Sequence, residues 1–416
     1  MRAVDRDGCF DPGMHMVSFD TARRAAAALA RPLDRSEEVP LAHAVGRILA
    51  TGIEAPRALP PFDQAAMDGY AVRLSGRAGV PLVLPLGGRT NAGDPPGVLA
   101  LGTAHRVMTG AALPRGADTV VMQEHVTLRG DLVQVGCDIE PGAHIRRVGE
   151  DVAQGMTVLQ PGRPIGWAEI ALLRALGIRT VPVIRPLQIA VLTTGSELRD
   201  AGEPLPAGAI YDSNGPMLAA LLGAPNARIT SLSVPDDLAA TAQALETQAG
   251  LVDLVITTAG MSVGDEDHVR NAAARAGGWL DIVKVAMKPG KPLAFGKIGD
   301  AYFVGLPGNP QAAACGALAF VRPMMRRLLG QAPADPITAE IAFTCARKPD
   351  RTELLPVSLS VEQGRLTAHR CGPDGSHRMM PMVSADAIAV VPGSSIPAQA
   401  GTCLEVLPFD QPRIGG

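Results

Sequence analysis

The N-terminal third of the chain contains two different patterns of apolar and polar positions. Residues 18–30 (SFDTARRAAAALA) form an alanine-rich stretch that predicts a helix, with Ser18 or Asp20 as its N-cap. After the prolines of 56–62, short apolar runs alternate with Gly, Pro and Asp turns up to residue 140. That alternation is typical of a small β-rich domain, which we place at residues 56–140.

Residues 141–185 contain further turns and then a stretch, WAEIALLRALG, that predicts a helix closed by Gly177. Together with residues 1–55, this segment flanks the β-rich stretch. We therefore predict one linking domain in two parts, 1–55 and 141–185, with 56–140 inserted between them. The first fifteen residues are polar and broken by Pro and Gly, which predicts a loose leader rather than a secretory signal.

Residues 186–330 alternate longer apolar runs with amphipathic stretches. The runs that predict strands are QIAVLTT, ARITSLSV, LVDLVITT, LDIVKVAM and AYFVGL, and the predicted helices cover 214–223, 236–249, 267–277 and 309–329. Strands and helices that alternate at this spacing predict a doubly wound parallel sheet. Ligands of such sheets bind beyond the carboxyl ends of the strands, so the loops there are the first places to search for a site.

Residues 331–416 return to short β segments, which are typical of a small β-barrel or sandwich, and of these two we predict a C-terminal β-barrel domain. The predicted fold class is therefore α/β and multidomain: a linking domain, an inserted β-rich domain, a doubly wound parallel-sheet domain and a C-terminal β-barrel. A length of 416 residues agrees with this, because a chain that long exceeds what one hydrophobic core normally holds.

Composition excludes several classes of function. Hydrophobic residues make up 47% of the chain but aromatic residues only 3%, so the cores are aliphatic, as in helices packed on parallel sheet. A net charge of −3 and the lack of a basic run argue against a nucleic-acid partner. The six cysteines form no C-x-x-C pair, and no apolar stretch reaches the ~18 residues of a membrane span. We expect a cytoplasmic protein with no membrane association.

The first of four candidate loops follows the strand QIAVLTT and contains Thr194, Gly195, Ser196 and Glu197. Hydroxyl groups, a glycine and a carboxylate at a strand end suit a polar ligand. An ordinary turn with a capping serine would contain the same residue types.

The second loop is TAGMSVGDEDH, residues 258–268. Gly260 and Gly264 would let backbone N–H groups approach an anion closely. Asp265 and Asp267 offer the oxygen ligands that Mg²⁺ prefers. The alternative for Asp267 is the N-cap of the helix that begins there.

The third loop is Lys288-Pro289-Gly290-Lys291, between two buried strands. The Pro-Gly turn can direct both ammonium groups at one anion, and lysine binds phosphate as a point charge. A solvated turn is the alternative.

The fourth loop contains Pro307, Gly308 and Asn309 and leads into a long helix. Asn309 is predicted as the N-cap and Pro310 as the first helical residue. The free N–H groups at such a helix start favour an anion.

Four loops at one sheet edge that mix lysines with acids predict a phosphate-bearing ligand and a divalent cation. The chain contains neither a G-x-x-x-x-G-K-[ST] loop nor a G-x-G-x-x-G fingerprint, which argues against ordinary NTPase or NAD chemistry.

Residues 61–71, PFDQAAMDGYA, resemble the signature P-x-F-D-N-S-A-M-D-G-Y-A of molybdopterin molybdenumtransferases, the MoeA type, which is related to the E domain of gephyrin. The resemblance runs in order over roughly residues 18–410. It continues through 109–118, Gly149-Glu150-Asp151, Tyr211-Asp212-Ser213-Asn214, the four loops, Gly375-Ser376-His377 and Ala385-Asp386.

The resemblance implies a reaction of adenylated molybdopterin with molybdate that releases AMP and leaves the molybdenum cofactor. It also implies that Asp68, Thr109, Glu150 and Asp151 belong to the site, although the residues alone would not have indicated them. We predict as catalytic residues these four together with Glu197 and Asp265.

We assign Mg²⁺, or another divalent cation, to Glu197, Asp265 and Asp267, because carboxylates do not bind the molybdate anion directly. Lys288 and Lys291 are assigned to oxyanions. The predicted substrate-binding set is Thr194, Gly195, Ser196, Asp212, Ser213, Asn214, Gly260, Ser262, Gly264, Lys288, Pro289, Gly290, Lys291, Pro307, Gly308 and Asn309.

The resemblance further implies an elongated homodimer with shared active sites, in which the inserted domain of one protomer closes over the sheet domain of its partner. An adenylyltransferase that supplies the adenylated pterin and the molybdoenzymes that receive the cofactor are further expected partners.

Two departures from the family pattern stand out. Ala259 replaces a glycine of the usual S-G-G-x-S, which would cost affinity if that position needs a positive φ or a close ligand approach. Gln64-Ala65 replaces Asn-Ser. Both departures leave room for a specialised paralogue.

Two other functions remain open from the sequence. One is the related adenylyltransferase step, which charges molybdopterin with AMP from ATP, although residues 61–71 and the tail domain argue against it. The other is a non-catalytic scaffold of the gephyrin E-domain type, for which retained acids and lysines would serve no purpose.

Overall fold

The structure is a computed structural model that describes residues 16–74, 81–136, 139–259, 268–373 and 375–409. Its contacts divide the chain into two compact units. The sheet unit comprises, within the described residues, 16–38, 45–50 and 182–409, and the β-rich unit comprises 39–44 and 51–181.

The helices lie where the capping and periodicity signals predict them, except for the short helix Met380–Val383, which the sequence analysis does not predict. They are α1 Phe19–Leu29, α2 Trp167–Ala175, α3 Asn214–Leu222, α4 Leu238–Ala249, α5 His268–Arg275, α6 Pro310–Gly316, α7 Arg322–Leu328 and α8 Met380–Val383. Short 3₁₀ turns cover Leu41–His43 and Gln123–His125, and a π-helical turn, Ala317–Val321, joins α6 to α7. Ser18, not Asp20, caps α1, because its side chain accepts from the Thr21 N–H.

The strands account for nearly all of the predicted β segments. They are β1 Val17–Ser18, β2 Ser36–Pro40, β3 Ile53–Glu54, β4 Gln64–Ala65, β5 Gly69–Val72, β6 Leu82–Thr90, β7 Ala104–Val107, β8 Thr119–Met122, β9 Val126–Arg129, β10 Leu132–Val135, β11 Ile145–Arg146, β12 Thr157–Leu159, β13 Thr180–Ile184, β14 Leu187–Thr194, β15 Leu198–Arg199, β16 Ile210–Tyr211, β17 Ala227–Val234, β18 Leu254–Thr258, β19 Trp279–Lys288, β20 Pro292–Ile298, β21 Ala301–Leu306, β22 Ile337–Ile341, β23 Thr352–Glu362, β24 Arg365–Arg370, β25 Ala387–Val391 and β26 Cys403–Pro408.

The predicted doubly wound sheet is confirmed, with one correction. Strands β17, β14, β18 and β21 run parallel in that order. Beyond β21, however, β20 is antiparallel to both β21 and β19. The sequence prediction omits β20 because its apolar run, PLAFGKI, follows β19 after only three residues. A three-residue connection makes a hairpin, so the sheet is mixed at this side.

This correction leaves the edge for the site unchanged. Strands β14, β18, β19 and β21 all end at the same edge of the sheet, because reversing β20 restores the direction of β19. The four candidate loops follow these four strand ends. The sheet itself is buried throughout β18 and β21, so the loops are anchored on rigid backbone.

Few aromatic residues occur in the chain, and three of its phenylalanines meet in the core of the sheet unit. Phe320 of the π-helical turn lies 5.7 Å, ring centroid to centroid, from both Phe19 and Phe295. Ala22 and Ala26 of α1 are fully buried beside them. The first helix therefore packs on the sheet unit.

The packing of α1 bears on the predicted linking domain. The predicted range 1–55 is divided in the structure, since 16–38 and 45–50 belong to the sheet unit and 39–44 and 51–55 to the β-rich unit. The reason is the apolar face of α1, which contributes Phe19 to the sheet unit's core. The finer ranges, 56–140, 141–185, 186–330 and 331–416, stay predictions.

The C-terminal segment forms the predicted barrel. Strand β23 pairs with β24 and β25, β25 with β26, β26 with β22, and β22 with β24, which closes five strands into a ring. Closure leaves no free strand edges. Two residues at the end of β19 also pair with the start of β23, so the barrel continues from the sheet.

The β-rich unit is built on a six-stranded sheet in the order β8-β5-β7-β6-β10-β9. Its pairs are antiparallel except β6 with β7, which run parallel and contain an irregularity between Leu86 and Gly88. In the described part of the chain, every helix is too short or too polar to span a bilayer.

Candidate active site

Asp212 organises the start of α3 beside the end of β14. Its carboxylate accepts from the Thr193 hydroxyl at 2.9 Å, from the Asn214 N–H at 2.9 Å and from the Gly215 N–H at 3.2 Å. Four donors of a helix N-terminus lack partners within the helix, and a carboxylate there also meets the positive end of the helix dipole. Asp212 is therefore fixed as a cap, which holds the predicted residues Ser213 and Asn214 in place.

Asn214 joins the start of α3 to the fourth candidate loop. Its amide nitrogen donates to the Gly308 carbonyl at 2.7 Å, across 94 residues of sequence. Its amide oxygen is buried and has no hydrogen-bond partner among the described residues. A buried acceptor without a partner is costly, so this oxygen is suited to a ligand that donates to it.

The lysine turn packs on the loop that precedes α6. Gly290 has φ +98°, and a Cβ there would lie 3.3 Å from the Pro307 ring and 3.4 Å from Ala312. Only glycine fits this left-handed, closely packed position. The turn is closed by the Val285 N–H, which donates to the Lys291 carbonyl at 2.9 Å, and both Lys288 and Lys291 remain exposed.

Asn309 lies at the N-cap position of α6 and Pro310 at its first turn, as predicted. The side chain of Asn309 makes no capping hydrogen bond, however. It is exposed together with Gly308, so the start of this helix presents its backbone and an amide side chain to solvent.

In the first candidate loop, the Glu197 carboxylate packs against Gly195. A Cβ on Gly195 would lie 2.6 Å from the Glu197 carboxylate, so this position admits no larger residue without moving the acid. Ser196 and Glu197 are exposed, whereas the Thr194 hydroxyl is buried and donates to the Thr258 carbonyl at 3.4 Å.

The second candidate loop lies almost entirely outside the described residues. This holds for Gly260, Ser262, Gly264, Asp265 and Asp267, whose predicted roles stay predictions. Within the described ranges, no cluster of three or more His, Cys, Asp or Glu side chains could hold a metal ion.

Ala259, at the start of that loop, adopts φ +73°. At a positive φ, alanine is less favourable than the glycine that it replaces, because the Cβ of an L-residue is sterically crowded in the left-handed region. Its N–H donates to the Leu306 carbonyl at 3.2 Å, and its methyl group fills the space beside Gly308, where an added Cβ would lie 3.2 Å away.

In the β-rich unit, the structure brings Asp68 and Thr109 together. The Asp68 carboxylate accepts from the Thr109 N–H at 2.7 Å and from the Thr109 hydroxyl at 2.8 Å. These two hydrogen bonds hold the pKa of Asp68 below its usual value, and the one from the Thr109 backbone contributes most. The nearby Arg106 charge lowers this pKa by a smaller amount. Asp68 is therefore a firmly ionised carboxylate at a partly exposed position.

Glu150 and Asp151 lie in a neighbouring turn of the same unit, and both are exposed. The Glu150 carboxylate accepts from the Arg147 N–H at 2.7 Å, which closes the turn. The Arg147 guanidinium pairs with Asp63 at 2.8 Å, and the other Asp63 oxygen accepts from the Val148 N–H. Sequence reasoning missed Asp63 and Arg147, although Asp63 lies within the run 61–71.

The Gln64-Ala65 departure is structurally explained at Ala65. Ala65 is fully buried among Ala71, Val107 and Val120. A serine hydroxyl buried in this apolar cluster would be unfavourable unless it found a hydrogen-bond partner. Strand β4, which contains both residues, pairs with β11. The departure therefore belongs to the packing of the unit.

Three family models match the chain in succession. They describe the MoeA N-terminal region (domain I and II) over residues 17–177, a probable molybdopterin binding domain over 190–327 and the MoeA C-terminal region (domain IV) over 338–409. Together they span nearly all of the described chain.

Relatives and solved structures agree with those models. Molybdopterin molybdenumtransferase 2 of Mycobacterium tuberculosis is 36% identical, covering 94% of this chain and 99% of its own length. Molybdopterin molybdenumtransferase of Haemophilus influenzae is also 36% identical, covering 95% and 99%. The crystal structure of a molybdopterin biosynthesis moeA protein from Pyrococcus horikoshii OT3 superposes with a TM-score of 0.80 at 27% identity, covering 94% of this chain and 99% of that one.

Proposed function

The chain belongs to the molybdopterin molybdenumtransferase family, and we propose that it transfers molybdenum from molybdate to adenylated molybdopterin with release of AMP. It is a transferase of molybdenum cofactor biosynthesis. The adenylyltransferase and scaffold alternatives are not favoured, since the relatives that match over nearly the whole chain are named as molybdenumtransferases.

The observation that carries the proposal is the joining of three strand-end loops. Asn214 bonds the Gly308 carbonyl, and the Lys288–Lys291 turn packs on Pro307, so α3, the lysine turn and the start of α6 share one edge of the sheet. Two exposed lysines therefore belong to a turn that packs beside a helix N-terminus. Both features attract oxyanions.

We assign the lysines to oxyanions of the two substrates. Charge develops on the AMP phosphate as the pyrophosphate bond breaks, and fixed positive groups there lower the barrier. The buried Asn214 amide oxygen would accept from a donor group of the pterin. Thr194, Gly195, Ser196 and Asn309 also belong to the proposed binding set, while Asp212 acts through the residues that it caps.

The proposed cation site can be tested only at Glu197, because Asp265 and Asp267 lie outside the described residues. Glu197 fits the role: its exposed carboxylate forms no salt bridge within the described part of the chain. We propose that Glu197, Asp265 and Asp267 hold Mg²⁺ or another divalent cation. Such a cation would neutralise phosphate charge in this site.

We further propose that Asp68, Thr109, Glu150 and Asp151 serve the same reaction, and that the active protein is a homodimer in the cytoplasm. Each set of residues belongs to a different unit, so a two-fold dimer is the arrangement we propose for combining them. An adenylyltransferase and the molybdoenzymes that accept the cofactor are the proposed functional partners.

The lysine assignment has a direct experiment. Lys288→Ala and Lys291→Ala should each raise the KM for adenylated molybdopterin about tenfold or more, because a charged hydrogen bond to phosphate is lost. The defect should be milder at low salt, where the remaining positive charges are less screened. Molybdate-dependent AMP release measures both effects.

The matched control is Lys348→Ala, which removes an exposed lysine from a turn of the C-terminal barrel. It should leave the KM unchanged. If Lys288→Ala and Lys291→Ala behave like the control, neither lysine holds the substrate and the proposed site is wrong.

A further inference from the structure

Two arginines of the β-rich unit lie directly opposite one another on neighbouring strands. Arg89 of β6 is in register with Arg106 of β7. Residues in register project from the same face of a sheet. Two like charges that lie directly opposite one another destabilise the pairing of the two strands. Neither arginine forms a salt bridge within the described residues, so no ion pair there offsets this repulsion.

Both guanidinium groups are nevertheless held in place by neutral partners. Arg106 lies over the Tyr70 ring, 4.9 Å from its centroid, and donates to the Gln123 side-chain oxygen at 2.6 Å. Arg89 donates to the Asn91 side-chain oxygen at 2.9 Å. A ring and two amides orient the cations without neutralising them, which leaves their charge available to a ligand.

The surrounding acids do not remove that charge. Asp68 is near enough for the Arg106 charge to help lower its pKa, but its closest hydrogen bonds are with Thr109. Glu124 accepts from the Gln123 amide nitrogen, opposite the oxygen that binds Arg106. Arg89 is exposed and Arg106 half-buried, and Arg106 lies near the Asp68–Thr109 pair.

We propose that Arg89 and Arg106 form an oxyanion site that binds the phosphate groups of the adenylated pterin. Arginine's planar fork matches a phosphate with two parallel hydrogen bonds, and a bound phosphate turns the repulsion between the two cations into attraction for a shared anion. This inference rests on the proposed function, because the substrate it names is that of the proposed reaction. It adds two binding residues that lie outside the family-derived set.

The test uses the full-length protein and molybdate-dependent AMP release. Arg106→Gln should raise the KM for adenylated molybdopterin about tenfold and change kcat less than about threefold, since binding rather than chemistry is lost. Arg89→Gln should act in the same direction, and Arg106→Lys should fall between, because it keeps the charge but loses the fork. Arg129→Gln, an exposed arginine of β9, is the control and should change nothing.

Titration with inorganic pyrophosphate, followed by calorimetry, provides a readout that does not need turnover. Weaker pyrophosphate binding by Arg106→Gln, with an unchanged melting temperature, supports the proposal. A KM that rises only for molybdate, or binding equal to that of the Arg129→Gln control, overturns it. If the parent protein releases no AMP, the proposed function fails instead, and the pyrophosphate titration still decides whether the arginine pair binds oxyanions.

Discussion

At the scale of single residues, the structure separates groups that hold the backbone from groups that are free to bind. The Asp212 carboxylate accepts hydrogen bonds from a hydroxyl and two N–H groups of the protein itself. The side chains of Lys288, Lys291 and Glu197 are exposed instead. The sequence places all of these residues at strand ends, but it contains no signal for which of them is used internally. Whether a side chain is used internally depends on contacts between distant parts of the chain. The ion pair of Asp63 with Arg147, which are 84 residues apart, is an example.

Ala259 gives a prediction about stability. Its φ of +73° is a conformation that glycine adopts freely, so Ala259→Gly should stabilise the protein by about 0.5–1 kcal/mol despite the added entropy of the unfolded chain. Urea unfolding would measure the change. In the control, Ala220→Gly in the exposed face of α3 should destabilise by about 1 kcal/mol. Equal destabilisation by both substitutions would contradict the strained conformation.

The Asp68–Thr109 pair gives a prediction about pH. Because Thr109 stabilises the ionised carboxylate, Thr109→Val removes one of its two hydrogen bonds and should raise the pKa of Asp68 toward its ordinary value. A lowered pKa favours the ionised form above it, so the acidic limb of the pH–activity profile should move to higher pH in the variant. NMR titration of the Asp68 carboxyl carbon measures the pKa itself. Thr103→Val, which removes a hydroxyl bonded to the Ala100 carbonyl, should leave this pKa unchanged.

At the scale of helices and strands, most of the fold follows from local signals. Caps and periodicity predict α1 to α7 within a few residues, because those signals are contained in the helices themselves. The strand β20 is missed, since a short apolar run after a three-residue turn resembles a continuation of the loop. Closure of the C-terminal strands into a ring depends on pairings such as β22 with β24, which no single segment encodes.

The caps of α3 and α4 offer a matched comparison. Asp212→Ala and Asp237→Ala each remove a carboxylate that accepts from two helix N–H groups, so each should destabilise by about 1 kcal/mol. Only Asp212 also fixes Asn214, which bonds the Gly308 carbonyl. AMP release at equal folded fraction should therefore fall for Asp212→Ala and not for Asp237→Ala. A parallel loss in both variants would mean that α3 contributes stability alone.

At the scale of the whole molecule, the proposed residues are distributed over two compact units. The alternating pattern of the sequence predicts the β-rich and α/β segments, but it does not indicate that α1 packs in the sheet unit. An alanine-rich amphipathic helix shows that one face is buried without showing which core buries it. The pairing of the two sets of site residues in one reaction also rests on the family resemblance.

Mixed dimers test whether the two sets come from different chains. At substrate concentrations below the parental KM, Asp68→Ala and the double variant Lys288→Ala/Lys291→Ala should each retain little activity alone. If each site takes one set from each protomer, a mixed dimer has one doubly altered site and one intact site. Random reassortment at equal amounts makes about half of the dimers mixed, so roughly a quarter of parental activity should return. Activity no higher than that of either variant would place both sets in one chain, or make Asp68 structural.

Molybdate dependence of AMP release shows directly whether the chain is an active molybdenumtransferase. The purified full-length protein is incubated with adenylated molybdopterin and a divalent cation, with and without molybdate, and AMP and active cofactor are measured together. A molybdenumtransferase should release AMP only when molybdate is present, in step with the formation of active cofactor. AMP release that is independent of molybdate, no release from well-folded protein, or consumption of ATP with molybdopterin alone would contradict the proposed function.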